Sequence, residues 1–455
     1  MVKEGMCYGE IPTSKVAYGA TLAIALPAIA ESVSIALMGM IDTVMVGQLG
    51  PHAISAVGLT AQPRMLLFSV FFALNVAMTA IVARNKGAGD MVAARSCLRH
   101  ALIAVVFLGA IFTVIAITFA RPLMNLAGAQ ADTIDPAASY FRITGYAFLV
   151  QILTGTICAA QRACGNTKIT LKVNVTAKVI SVGLNLLLIE GRLGFPALGV
   201  DGAAWSTVIA ASVAFFLALG SITHRDSNLR ISLKDSWKFQ KSMVKSLGKL
   251  TSGGLVEQVG LRFGFFAYAL VVATLGTDEF AAHIIVMQLM VLSFTFADGV
   301  GTATTSLVGQ SLGKKRPDLS MMYGKIGLRL AFLIAIVLSI TCVLIRYWFP
   351  GLFTDVDEII RISATLVIVL AVVMPIQTTQ LVMGGSLRGA GDTKFVAFTM
   401  IVTVGILRPL LGFLLTYPLG WGLIGAWIAI IFDQGARLVM LFTRFVRGKW
   451  AEIKL

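Results

Sequence analysis

Five acidic residues fall inside long apolar stretches of this sequence: Glu31, Asp42, Glu257, Asp298 and Asp433. A charge at the centre of a bilayer costs about 2.5–3.5 kcal/mol on insertion scales, so a carboxylate retained there implies a partner or a task. A buried carboxyl is the simplest proton carrier, because desolvation favours its neutral form and brings its titration towards neutral pH. Carboxylates joined by neutral oxygens bind a small cation such as Na⁺. Bases lie within or beside the same stretches: Arg64, Arg142, Lys178, Arg262, Arg408 and Arg437. There is no Walker A string, no HExxH and no Cys/His cluster. The sequence therefore predicts no enzyme, no bound metal and no cofactor apart from a coupling ion.

Each acid has a structural alternative. Asp42 is a coupling residue, or an acid paired with a base such as Lys178. Glu31 lies eleven residues earlier, about 20° around a helix and about 16 Å along it, so the two share a face. They make two stations of a cation path, unless Glu31 sits in a solvated mouth. Asp298 faces Glu257 from the next span or lies at an outer mouth. Asp433 and Arg437, four apart, read as a structural salt bridge.

These residues need long apolar helices to hold them. Charged residues make up 13% of 455, against about 25% in a soluble domain. Twelve apolar stretches are present, near 16–47, 54–83, 99–120, 137–160, 170–190, 200–222, 248–275, 282–309, 325–348, 360–386, 395–417 and 421–443. The expected fold is an all-α integral membrane protein of twelve transmembrane helices. The net charge of +15 falls on alternate loops, as with Arg84, Lys86, Arg95 and Arg99, or Lys314, Lys315 and Arg316. Intervening loops carry acids such as Asp132, Asp135, Asp278 and Glu279. The positive-inside rule places both termini in the cytoplasm. It also accounts for the basic excess without nucleic acid. The five cysteines are scattered and read as small apolar filler.

Sliding the chain on itself by 226 residues aligns Glu31 with Glu257, Gln62 with Gln288, and Arg162, Gly165 and Lys168 with Arg388, Gly391 and Lys394. A three-residue shift then aligns Gly199 and Gly202 with Gly422 and Gly425. Each half holds six spans, so both enter the membrane from one side and form a parallel repeat. The expected layout is an N-lobe over 1–222, a cytoplasmic linker over 223–247 and a C-lobe over 248–455, two six-helix bundles around a central cleft.

Several strings resemble the multidrug and toxic compound extrusion (MATE) transporters. Gly39-Met40-Ile41-Asp42-Thr43-Val44-Met45-Val46-Gly47-Gln48-Leu49-Gly50 is similar to that family's first-helix motif. Gly385-Ser386-Leu387-Arg388-Gly389-Ala390-Gly391-Asp392-Thr393-Lys394 resembles its motif after the tenth helix, with a degenerate copy at Gln161–Lys168. Leu198–Trp205 fits the start of the sixth helix. The resemblance covers about residues 20–445 and implies a multidrug efflux antiporter. Such a protein exports organic, mostly cationic, compounds in exchange for H⁺ or Na⁺ by alternating access.

The resemblance makes Asp42 the coupling acid, and Glu257 matches the acid that NorM-like members use in their C-terminal lobe. Where those members carry a tenth-helix Asp, this chain has Gln377 and no acid. That departure favours H⁺ over Na⁺, since a proton needs one carboxylate only. Where other members carry a fifth-span Asp, this chain has Asn185, leaving Asp42 with neutral partners among Asn185, Gln62, Asn75 and Thr207. Further cleft candidates are Gln288, Met287, Met290, Phe294 and Met38. The expected partners are small organic substrates and membrane lipid, with no nucleic acid. The expected form is a monomer in a bacterial inner membrane. A lipid or lipid-linked flippase of a related superfamily, and a non-transporting receptor or scaffold, are the alternatives.

Overall fold

A computed structural model describes residues 9–49, 51–127, 133–189, 191, 194, 196–224, 229–231 and 240–453. Cys7, Gly50, Asp132, Arg225, Lys234 and Lys238 lie outside these, as do residues 225–228 and 232–239 of the 223–247 linker. A backbone in lipid must satisfy its polar groups internally, and this apolar chain does so as helix. The helices run α1 (Ser14–Gly47), α2 (Pro51–Gly87), α3 (Met91–Thr118), α4 (Ala120–Leu126), α5 (Ile134–Tyr146), α6 (Phe148–Ala163), α7 (Thr167–Leu188), α8 (Gly199–Thr223), α9 (Lys241–Ala273), α10 (Thr277–Gly313), α11 (Pro317–Leu344), α12 (Asp357–Gly389), α13 (Thr393–Met400), α14 (Arg408–Thr416) and α15 (Gly422–Val446). No strand occurs among the described residues.

Among the described residues eleven segments are long and apolar enough to cross a membrane, and α5 with α6 makes a twelfth. That twelfth differs from the uninterrupted 137–160 stretch in being bent by 51°. The bend has a local cause. The Thr144 hydroxyl donates to Tyr140 O at 2.9 Å, and Ala147 N–H bonds only three residues back, to Thr144 O. Back-bonding threonines and tightened turns bend helices. A π-helical turn, Ile401–Leu407, joins α13 to α14 within another span.

The chain forms two compact units. The N-terminal unit is Val33–Lys86 with Asp90–Thr251; the C-terminal unit is Met1–Ser32, Gly87–Gly89 and Ser252–Leu455. Residues 1–32, assigned by the repeat to the first lobe, thus group with the C-terminal helices. Within that unit a Cβ added to Gly299 on α10 would lie 2.7 Å from Ile29 Cα, so glycine is what lets the start of α1 approach.

The repeat is visible as equal duties of matched glycines. Gly199 and Gly422 take φ of +57° and +54° at the starts of α8 and α15, a region L-residues avoid. One turn on, a Cβ at Gly202 would meet Leu188 O at 2.4 Å, and one at Gly425 would meet Leu415 O at 2.7 Å. Both helices therefore pack against the end of the preceding span through a bare Cα. In α12, Pro375 cannot donate to Ala371 O. Ser339 of α11 fills that acceptor at 2.9 Å.

Candidate functional site

In the N-terminal unit α1 presents Gly39, Asp42, Thr43 and Val46 to a cavity of about 310 Å³. Their spacing of three, four and seven is one face of a helix. Lys178 and Asn185 of α7 line the same cavity. They are seven residues apart, two turns on one face.

The two α7 side chains converge on one carboxylate. Lys178 Nζ lies 3.1 Å from Asp42 Oδ2, and Asn185 Nδ2 donates to Asp42 Oδ1 at 2.8 Å. Ser206 of α8 donates to Asn185 Oδ1, which turns the amide N–H₂ towards Asp42. Asp42 and Lys178 are both half-buried. The carboxylate is fixed by two donors yet open to the cavity.

A larger cavity of about 550 Å³ adjoins it, sharing Arg64, Lys178 and Thr207. Arg64 follows Pro63 in α2, and the proline removes the hydrogen bond that Leu59 O would otherwise accept. Tyr140, hydrogen-bonded to Thr207, lies within electrostatic range of both Arg64 and Asp42.

The C-terminal unit is built differently. By the 226-residue register Asp42 falls on Tyr268, whose hydroxyl donates to Ala426 O at 3.0 Å. Its nearest charges belong to a closed triad: Arg408 Nε donates to Asp433 Oδ2 at 2.7 Å and Arg437 Nη2 to Asp433 Oδ1 at 2.6 Å. The expected Asp433–Arg437 pair is present, with Arg408 added from α14. All three are buried, and two hydrogen-bonded arginines hold Asp433 in a charged, structural role.

Glu257 of α9 is buried and ion-paired with Arg388 of α12, the arginine of the Gly385–Lys394 string. A Cβ on Gly389 would sit 2.3 Å from Thr305 O, and the Thr305 hydroxyl donates to Gly385 O at 2.8 Å. The glycines of that string seat α12 on α10, and its arginine meets the α9 acid. Asp298 is exposed on α10, in electrostatic range of Arg388. Glu31 is buried and belongs to this unit, apart from Asp42, despite their shared helix face.

The remaining candidates scatter. Met290 is fully buried in an apolar cluster of α9, α10, α12 and α15, with Met287 and Phe294 packed against it. Gln377 is buried, and neither end of its amide has a partner among the described residues. Gln62 and Gln288 are both exposed, and Met38 is half-buried. Asn75 lines the larger cavity. Arg64 stands in the sequence only as a base beside an apolar stretch, and its place one residue after Pro63 is the signal that sets it apart.

A family model described as MatE matches residues 27–187 and again 255–414, so each half satisfies it separately. The chain belongs to the MatE family. This MatE protein is a multi-pass membrane transporter by that membership and its apolar helices. It is 27% identical over 442 residues to the probable multidrug resistance protein NorM of Thermotoga maritima, covering 94% of this chain and 92% of that one. It is 26% identical over 416 residues to the uncharacterized transporter YisQ of Bacillus subtilis, covering 91% of each. In fold it is similar to a MOP superfamily transporter from Pyrococcus furiosus, at a TM-score of 0.89 and 20% identity over 98% of this chain and all of that one. That protein is described as having a binding pocket of reverse polarity, suggesting a different function.

Proposed function

We propose that this MatE protein is a multidrug exporter driven by inward proton flow, with Asp42 as the proton carrier. The observation that carries the reading is the half-open Asp42, held by Lys178 and Asn185 at the cavity wall. Protonation removes the negative charge that holds Lys178, so the pair opens and α1 is free to shift against α7. A ligand or proton moves a two-state equilibrium only through such a difference between the states. The organic cations implied by the family compete with the proton for this carboxylate, which is the linkage an antiporter needs. Na⁺ is the weaker choice here, because one carboxylate beside an ammonium group is a poor cation cage.

Relatives named for multidrug resistance support the efflux direction. The basic loops support a cytoplasmic location for both termini. We place the chain in a bacterial inner membrane, as a monomer acting by alternating access. The test is reconstituted dye export under a pH gradient and an Na⁺ gradient imposed separately. Export under the pH gradient, lost in Asp42→Asn, is expected. A response to Na⁺ alone would overturn it.

A further inference from the structure

The larger cavity of the N-terminal unit has a charge imbalance that proton carriage by Asp42 does not use. Among the described residues that line it, the charged ones are Arg64 and Lys178, both cations. Lys178 has its counter-ion in Asp42, across the boundary with the smaller cavity. Arg64 makes no ion pair or hydrogen bond among the described residues. A half-buried guanidinium with five donors and no acceptor is an incomplete arrangement, since charges away from bulk water are ordinarily paired.

The rest of the wall is mostly apolar, with neutral polar groups such as Asn75, Gln151 and Asn174 among the apolar ones. Phe68 packs edge-on against Phe148 at 5.2 Å, and Phe71 against Phe112 at 5.4 Å. Both rings also line the cavity. At about 550 Å³ it is the size of an ordinary small-molecule site. Asn75, on the same wall, has a buried Oδ1 without a partner among the described residues. Phenyl faces attract a desolvated cation, but a cation here would meet Arg64 and Lys178 at close range in a medium that screens poorly, which opposes it.

We infer that this cavity binds an amphipathic organic anion: an aromatic or acyl body against Phe68 and Phe71, with one carboxylate, sulfonate or phosphate on Arg64. Guanidinium suits such groups because its fork of donors matches two oxygens at once. The anion would be held by Arg64 rather than by the proton-carrying Asp42, although Lys178, the partner of Asp42, lines the same wall. A soluble anion and an acidic lipid headgroup share the required chemistry.

Calorimetry on the full chain in phosphatidylcholine nanodiscs tests this with three probes of one size: 2-naphthoate, 2-naphthamide and 2-naphthylmethylammonium. Naphthoate is expected to bind at least about tenfold tighter than the amide, the worth of one good charge contact. Arg64→Gln should remove that advantage while amide binding persists, which shows the cavity intact. Arg64→Lys should keep part of it. Phosphatidylglycerol in the disc that displaces naphthoate assigns the site to a lipid headgroup, and its failure to do so assigns a soluble anion. Equal naphthoate affinity in the wild type and Arg64→Gln would overturn the inference, as would tighter binding of the ammonium probe. Asp42→Asn, which tests proton coupling, frees Lys178 on the same wall, so the naphthoate advantage over the amide should persist or grow, and its loss would overturn the inference.

Discussion

Lys178 Nζ lies 3.1 Å from Asp42 Oδ2 while the two side chains keep 34% and 25% of their surface open. An ion pair so exposed opens at small cost, whereas the sealed Asp433 triad does not. Asp42→Asn should therefore stop dye export driven by a pH gradient in proteoliposomes while leaving the purified protein as heat-stable as the wild type. Unchanged export would remove Asp42 from the coupling.

The same contrast predicts the opposite phenotype at Asp433. Its side chain is fully buried between Arg408 and Arg437. Asp433→Asn leaves two buried guanidinium groups short of a counter-charge, a loss of about 3–5 kcal/mol by analogy with broken buried pairs. The expected result is a large fall in melting temperature in detergent. A variant as stable as Asp42→Asn would show that water reaches the triad.

Glu257 and Arg388 combine the two cases, being buried yet on separate spans, α9 and α12. Each single change, Glu257→Gln or Arg388→Met, should destabilise the protein, and the double variant should recover part of the loss. A double-mutant cycle on melting temperatures checks this, additivity of the two losses being the result that fails it.

Much of this site is legible in the sequence. Lys178 and Asn185 are two helical turns apart, so any helix that brings one to Asp42 brings both. The Asp433–Arg437 pair follows from its four-residue spacing. Arg64 is not legible as a wall residue, because which way α2 turns its side chains depends on the neighbours it packs on, such as α6 through Phe68–Phe148 and α3 through Phe71–Phe112. Met290 looked like an adaptable binding surface and is core, since an apolar span reads alike on both faces. The bend at Ala147 was hidden because neither proline nor a polar break marks it.

The packing of α12 on α10 gives a sharp contrast between two glycines. A Cβ at Gly389 would lie 2.3 Å from Thr305 O, while Gly435 has open space around it. Gly389→Ala should reduce folded yield in the membrane severely, because backbone cannot yield as a side-chain tip does. Gly435→Ala should be tolerated and, within a helix, slightly stabilising. Equal yields of the two variants would contradict the close approach.

The four described cysteines offer a last test of burial. Cys97, Cys158, Cys164 and Cys342 form no disulfide and are buried. Cys164 lies between α6 and α7, outside the spanning segments. Burial pushes its thiol up to about 11, opposed by the nearby Lys86 charge. A raised thiol value keeps the proton on sulfur, so at pH 7 only about one molecule in ten thousand carries the reactive thiolate. A Cys7→Ser variant in native membranes should take up no maleimide at pH 7 within minutes, and should label at all four positions once unfolded in detergent. Raising the pH to 9 makes the thiolate about a hundredfold more abundant, yet still only about one molecule in a hundred, so labelling of the folded protein should stay far behind that of the unfolded one. Prompt labelling of Cys164 at pH 7 would mean that the turn carrying Gly165 opens to water, and that the matched turn at Gly391 should be probed for the same opening.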